Sequence, residues 1–130
     1  MSAVVVGYVP RPEGRAALEY GIKEARSRGG RLVVVNATRG DALVDSRYVQ
    51  GAELDDLRAE LEALDLPTEL RSLSLGKDIA EELNEIAEEV DAAFIVIGLR
   101  HRTTVGKLIM GSAASRIMLT ARKPVVAVKA

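Results

Sequence analysis

Residues 93–97, with the sequence AFIVI, form a short apolar run that stops at Gly98. A run of this length, rich in β-branched residues and followed by glycine, predicts a buried β-strand. A basic segment comes next, and Gly111 and Ser112 then open a stretch with the apolar spacing of a helix. A strand, a loop and a helix in this order are typical of the repeating unit of a parallel sheet.

The same alternation of strand and helix continues outward from this run. Apolar runs over residues 3–8, 31–37, 68–75 and 125–128 predict four further strands, and 68–75, which alternates weakly, is expected near a sheet edge. Apolar residues at three- and four-residue spacing predict helices over 13–28, 54–64, 79–90 and 112–121. The third of these helices is expected to carry a solvated acidic face made of Glu81, Glu82, Glu85, Glu88 and Glu89.

Near-continuous Val and Ile strands between amphipathic helices indicate a parallel sheet covered on both faces. We therefore predict a single domain over residues 1–130, with an α/β fold of Rossmann-like type and a doubly wound five-stranded parallel sheet. With right-handed crossovers and the strand order 3-2-1-4-5, the winding reverses between strands one and four. Ligands bind such sheets at the carboxyl ends of the strands at that point, which here are residues 8–11 and 98–101. The connection 38–49 is long, which is typical of a functional or mobile loop.

The composition excludes several classes of protein. The chain has no cysteine and one histidine, which excludes disulfides, a thiol nucleophile and a multi-histidine metal centre. No apolar run approaches the roughly 20 residues of a membrane span. The first residues do not form a signal peptide, and this favours the cytoplasm. A net charge of −1, one Phe and three Tyr argue against nucleic acid as a partner.

The charges are unevenly distributed along the chain. Residues 78–91 hold seven acids and no base, whereas residues 92–130 hold seven Lys and Arg and no acid. The first N–H groups of the last helix and its positive dipole end would attract an anion, and no carboxylate nearby in sequence would repel it. The sequence thus predicts a phosphate or nucleotide site near Gly98 and Gly111, with Arg100 or His101 adding charge-assisted hydrogen bonds.

Each of these features also has a purely structural explanation, which the residues leave open. Gly98 could only end a strand and permit a tight turn. Ser112 could only cap the last helix through its side-chain oxygen. His101, Arg100 and Arg102 could be exposed loop residues without a ligand.

The arrangement of Gly98, His101, Gly111 and Ser112, followed by the sequence KPVVAVK over residues 123–129, resembles the universal stress protein family. The similarity extends over essentially the whole chain. The family pattern is Gly-x2-Gly-x9-Gly-Ser/Thr, and the nucleotide-binding members use it to hold the ribose and phosphates of ATP.

The resemblance implies a set of nucleotide-binding residues. Gly98, Gly111 and Ser112 would contact phosphate or ribose, Ala37 would lie against adenine, and Val9 would lie beside adenine or ribose. The ligand would be ATP or another adenine nucleotide, with or without Mg²⁺. The complete expected set is Tyr8, Val9, Pro10, Ala37, Gly98, Arg100, His101, Gly111, Ser112, Ala113 and Ala114.

Two positions depart from the family pattern, so more than one function stays open. His101 replaces the middle glycine, and Val9 stands where ATP-binding relatives usually carry Asp. The first expectation is a nucleotide-binding sensor or adaptor of the stress response, homodimeric through its last strand, Val125–Lys129. The alternative is a dimeric interaction module that has lost nucleotide binding. A slow ATPase or a self-phosphorylating protein with Ser112 as acceptor is a third, but no catalytic base is evident, so we expect no enzyme.

Overall fold

The computed structural model describes residues 2–37, 44–73, 78–101, 108–109 and 111–130, and for 44–52, 100–101 and 108–109 it describes the backbone only. Strands and helices alternate through these ranges, as predicted. In chain order the elements are β1 (Ala3–Tyr8), α1 (Pro12–Arg28), β2 (Arg31–Asn36), α2 (Val44–Glu62), β3 (Thr68–Ser72), α3 (Ile79–Glu89), β4 (Ala92–His101), β5 (Leu108–Ile109), α4 (Ser112–Thr120) and β6 (Val125–Lys129).

Five of the described strands form a parallel sheet in the order β3-β2-β1-β4-β6. This arrangement confirms the predicted order 3-2-1-4-5, since β6 is the fifth predicted strand. The strand β3 lies at one end of the sheet, as expected for its weak alternation. No sequence pattern predicts the two-residue strand β5, which pairs antiparallel with the end of β4.

Alternate residues of the central strands supply two hydrophobic layers. Val4 and Val6 of β1 belong to the layer that α1 and α2 cover, whereas Val5 belongs to the layer that α3 and α4 cover. All three side chains are fully buried. The continuous valine run of β1 is therefore explained by burial on both faces of the sheet. The helix α1 ends where Gly29 takes the left-handed conformation at φ 61°, which glycine adopts without a steric penalty.

The strand β4 is longer than predicted. It continues through Gly98 to His101, so the prediction that the strand stops at the glycine is wrong. The strand β6 stays paired with β4 as far as Leu99, and β5 pairs with the two residues that follow. A glycine inside a strand lowers stability by only about 0.5–1 kcal/mol relative to alanine. The hydrogen bonds of these pairings are therefore enough to continue the strand past Gly98.

Two further expectations need correction. The helix α2 begins at Val44, so residues 44–49 of the predicted connection are helical, while residues 38–43 lie outside the described ranges. Glu82 is only 9% exposed, so the expectation of a wholly solvated glutamate face on α3 is wrong at this position. It stands at the boundary of the apolar stripe, next to Leu83 and one turn before Ile86.

The predicted third strand is shorter than expected, because β3 ends at Ser72 and residues 74–75 lie outside the described ranges. None of the described helices combines the length and the apolar character needed to cross a bilayer.

Candidate functional site

The carboxyl ends of β1 and β4 meet at one edge of the sheet, where the winding reverses. Their parallel register pairs Val6 with Val96 and so brings the end of β1 near Gly98. The helix α4 also begins close to this edge, because Ile109 pairs with Arg100 two residues before Gly111. The structure thus brings together the two segments, 8–11 and 98–101, that the sequence assigned to one crevice.

Gly98 is a glycine because α1 approaches it closely. A Cβ atom at this position would lie 2.0 Å from the carbonyl oxygen of Glu13 and 2.4 Å from its carbonyl carbon. A rigid backbone segment cannot yield at such distances, so any side chain would push α1 away from β4. This packing replaces the interpretation that Gly98 ends a strand, and it explains the residue without a ligand.

Gly111 has a different environment. It stands at the N-cap of α4 with φ −66° and ψ 161°, a conformation open to any residue. A Cβ atom there would have no atom of the described residues within 4 Å. Neither backbone strain nor packing within the described part of the chain therefore requires glycine at this position.

The first turn of α4 has no side-chain cap. Because Gly111 holds the N-cap position, the interpretation of Ser112 as the capping residue is wrong. The first intrahelical bond runs from the N–H of Ser115 to the carbonyl of Gly111, at 3.0 Å. The N–H groups of Ser112, Ala113 and Ala114 precede it and so have no acceptor within the helix. No acidic residue lies in this turn, which makes it favourable for an anion.

Arg100 and His101 belong to the end of β4 rather than to a loop. Their backbones pair with those of Ile109 and Leu108 in the antiparallel β4–β5 ladder. The expectation that they lie in an open loop after the strand is therefore wrong. Arg102 and Lys107, which follow in the basic segment, lie outside the described residues.

The residues after β1 fold back tightly on α1. The N–H of Arg11 donates to the carbonyl of Val9 at 2.8 Å, and a Cβ atom on Gly14 would lie 1.8 Å from the same oxygen. The end of β2 is fixed to this segment, because the N–H of Ala37 donates to the carbonyl of Tyr8 at 2.8 Å. The structure thus brings Tyr8, Val9 and Ala37 together.

A cavity of about 450 Å³ opens beside the end of β1. It lies between the start of α1 and the middle of α2, and it holds two of the sequence-predicted site residues, Tyr8 and Pro10. The complete lining is Tyr8, Pro10, Arg11, Pro12, Arg15, Glu53, Asp56, Leu57 and Glu60.

An ion pair closes one side of this cavity and joins the two helices. Arg15 Nη1 donates to Glu60 Oε1 at 2.7 Å, and Arg15 Nη2 donates to Glu60 Oε2. These hydrogen bonds lower the pKa of Glu60 and raise the pKa of Arg15. Burial raises the pKa of Tyr8, so its phenol stays neutral at physiological pH.

The chain as a whole matches known proteins. The model of the universal stress protein family matches residues 1–129. The chain belongs to the universal stress protein family. A universal stress protein of Mycolicibacterium smegmatis is 48% identical over 126 residues, which are 97% of this chain and 96% of that protein.

Solved universal stress proteins share the fold. A structure of one from Archaeoglobus fulgidus has a TM-score of 0.77 at 30% identity, with 98% of each chain covered. A second structure from the same organism, in complex with dAMP, has a TM-score of 0.67 at 25% identity. The alignment covers 98% of this chain and 97% of that one.

The family motif alone does not reveal which residues line the cavity between α1 and α2 of this universal stress protein. Arg15, Glu53, Asp56 and Glu60 line the cavity but were not expected there. A signal existed for three of them, because residues 53, 56 and 60 lie on one face of a helix. No sequence pattern predicts that this face of α2 packs against the start of α1.

The described residues offer no metal centre. No group of three or more His, Asp or Glu within those ranges converges as a metal site needs. In particular, Glu53, Asp56 and Glu60 line the same cavity without forming a cation cage.

Proposed function

We propose that this universal stress protein binds an adenine nucleotide at the carboxyl edge of its sheet. The observation that carries the proposal is the uncapped, acid-free first turn of α4 behind Gly111, where an added Cβ atom would have no atom of the described residues within 4 Å. The A. fulgidus relative that was solved with dAMP supports an adenine nucleotide as the ligand. ATP is the nucleotide we propose, with or without Mg²⁺.

The phosphates would lie against the start of α4. The N–H groups of Ser112, Ala113 and Ala114 would donate to phosphate oxygens, and the positive end of the helix dipole would add to the attraction. The side chain of Arg100 or His101, both at the end of β4, would supply charge-assisted hydrogen bonds. Gly98 would approach the phosphates or the ribose from the same edge.

The nucleoside would lie towards the ends of β1 and β2. Ala37 would contact adenine, and Tyr8, Val9 and Pro10 would form the wall beside it. Val9 offers no carboxylate to the nucleoside.

We further propose a homodimeric sensor or adaptor of the stress response in the cytoplasm, without enzymatic turnover. The strand β6 supports the dimer, because Val125–Lys129 pairs with β4 at one edge and its valines are only half-buried. The helix α4, which leads into β6, exposes Met118 by 40% and Leu119 by 84%. The same observation supports the second candidate function, a dimeric interaction module without nucleotide.

Calorimetric titration of the full chain with ATP, with and without Mg²⁺, tests the proposal. We expect heat of binding and a rise in melting temperature, since a ligand that binds only the folded state stabilises it. No heat and no change in melting at millimolar ATP would leave the interaction module as the function. Phosphate release or labelling of Ser112 in the same samples would contradict the absence of turnover.

A further inference from the structure

A second cavity lies between α3 and α4, on the face of the sheet opposite to α1 and α2. Its volume of about 690 Å³ is within the usual range for small-molecule sites. The charged side chains of its lining are five carboxylates and two arginines, Arg116 and Arg122. Arg116 pairs with Asp78 at the start of α3, so it does not neutralise the carboxylates further along that helix. The cavity therefore has a net negative charge and favours a cation.

Three of these carboxylates, Glu81, Glu85 and Glu88, form an acidic row along α3. Their spacings of four and three residues place them on one side of the helix, over a length of about 10 Å. Like charges at such spacings repel each other, and a cation that spans the row would relieve this repulsion. No three acidic side chains among the described residues converge as a metal site needs. The acidic row therefore suits an extended organic cation rather than a metal ion.

Asn84, which also lines the cavity, has a buried acceptor that lacks a donor. Asn84 Nδ2 donates to Thr120 Oγ1 at 2.8 Å, and this hydroxyl donates to the carbonyl of Arg116 at 2.6 Å. Because the single hydroxyl proton is used in the second bond, Thr120 can only accept from Asn84, and this fixes the orientation of the amide. Asn84 Oδ1 is then buried with no hydrogen-bond donor among the described residues. A ligand that donates to this atom would remove the penalty of a buried, unpaired acceptor.

We propose that the cavity between α3 and α4 binds a linear polyamine. Its ammonium groups would pair with the acidic row, and one of its N–H groups would donate to Asn84 Oδ1. An ammonium group carries only donors, whereas carboxylates and an amide oxygen only accept, so the two sets match. The terminal nitrogens of an extended spermidine molecule are separated by about the length of the row. The inference is independent of nucleotide binding, because it concerns a cation and a different cavity.

The test is a calorimetric titration of the full chain with spermidine at low salt and without nucleotide. Glu81→Gln with Glu88→Gln changes the cavity. Asp55→Asn with Glu62→Gln is the control, which removes the same charge from exposed positions of α2 on the other face of the sheet. We expect the cavity variant to bind spermidine at least about tenfold more weakly, because it loses two charged acceptors. The control should change the affinity less than about twofold. Equal weakening in both variants would show attraction to the overall charge and would overturn the proposed site.

Asn84→Ala tests the buried acceptor. We expect it to weaken spermidine binding at least about threefold, because the ligand loses one hydrogen bond. Urea denaturation without ligand should show a stability close to that of the wild type, since the variant removes the unpaired Oδ1 together with the bond to Thr120. An affinity equal to that of the wild type would overturn the role of Asn84 in the site.

Wild-type protein supplies a comparison of ligands that needs no variant. Spermidine, with three ammonium groups, should bind more tightly than putrescine, which has two and spans less of the acidic row. No heat with millimolar spermidine would overturn the proposal. Binding of tetralysine without binding of spermidine would also overturn it, and would indicate a basic protein segment as the partner of this cavity.

Discussion

A side chain at Gly98 would collide with the start of α1, whereas a side chain at Gly111 would enter open space beside α4. The two glycines belong to the same sequence motif, yet within the described residues packing requires only the first to be glycine. Packing explains why position 98 is glycine, because the carbonyl of Glu13 leaves no space for a Cβ atom there. For Gly111 no comparable contact exists among the described residues, and this difference can be measured.

Gly98→Ala and Gly111→Ala should therefore separate stability from binding. We expect Gly98→Ala to lower the free energy of unfolding by about 1–3 kcal/mol, as overpacking does. Gly111→Ala should cost about 0.5–1 kcal/mol, because alanine is a poorer N-cap residue than glycine, and should weaken ATP binding by narrowing the space at the start of α4. Urea denaturation and calorimetry give the two quantities. Equal losses of stability would contradict the packing account of Gly98.

The Arg15–Glu60 ion pair should make a small, pH-dependent contribution to stability. The pKa of Glu60 is lowered in the folded chain from its ordinary value of 4.5, so the stabilisation is present above pH 4.5 and is lost as the pH falls through the folded pKa. Both side chains are more than a third exposed, at 44% and 36%, and water therefore screens the pair. We expect Glu60→Gln to cost less than about 1 kcal/mol at pH 7 and almost nothing at pH 2. A cost that is the same at both pH values, in urea denaturation, would contradict this assignment.

At the scale of elements, the strongest local patterns were the most informative. The valine runs of β1 and β2 predicted those strands closely, because burial on both faces of the sheet leaves little choice of residue. The apolar stripe of α3 predicted that helix, because one face of it packs against the sheet. The extension of β4 was missed because its pairing with β6 and β5 depends on residues distant in the chain. The cavity beside Tyr8 was missed for the same reason, since it forms only when α2 packs against α1.

The start of α3 offers a test of how this helix is anchored. Asp78 accepts a hydrogen bond from the N–H of Ala80 at 3.1 Å and also pairs with Arg116 of α4. We expect Asp78→Ala to cost about 1 kcal/mol, typical of a lost N-cap. Asp78→Ser keeps a capping oxygen and removes only the ion pair, so it should cost less than half as much in urea denaturation. Equal costs would show that the ion pair, rather than the cap, anchors the helix.

At the scale of the whole molecule, the order of the strands could be predicted from the handedness of the crossovers. The oligomeric state could not be predicted in this way. The sequence predicts a last strand that could pair with a second copy. In the structure β6 has one partner among the described strands, and α4 exposes Leu119 beside the connection to β6. In the proposed dimer, α4 and β6 therefore belong to the same interface.

Leu119→Lys should weaken that dimer without harming the fold. An exposed residue contributes within about 0.5 kcal/mol to the stability of a monomer, whereas a lysine buried in a dimer interface would carry an unpaired charge. We expect sedimentation equilibrium at micromolar concentration to show a wild-type dimer and a mainly monomeric variant. Ser72→Lys, on the opposite edge strand β3, is the control and should remain dimeric. A wild-type monomer would contradict the proposed assembly.

The most direct test of nucleotide binding at the carboxyl edge is a two-dimensional NMR titration of the ¹⁵N-labelled chain with ATP. The amide signals of Ser112, Ala113 and Ala114 should shift together with that of Ala37, while those of Arg26 and Arg28 in the last turn of α1, at the opposite edge of the sheet, stay unchanged. The account would be contradicted if saturating ATP left the amide signals of α4 unshifted, or if it shifted only signals of residues away from this edge.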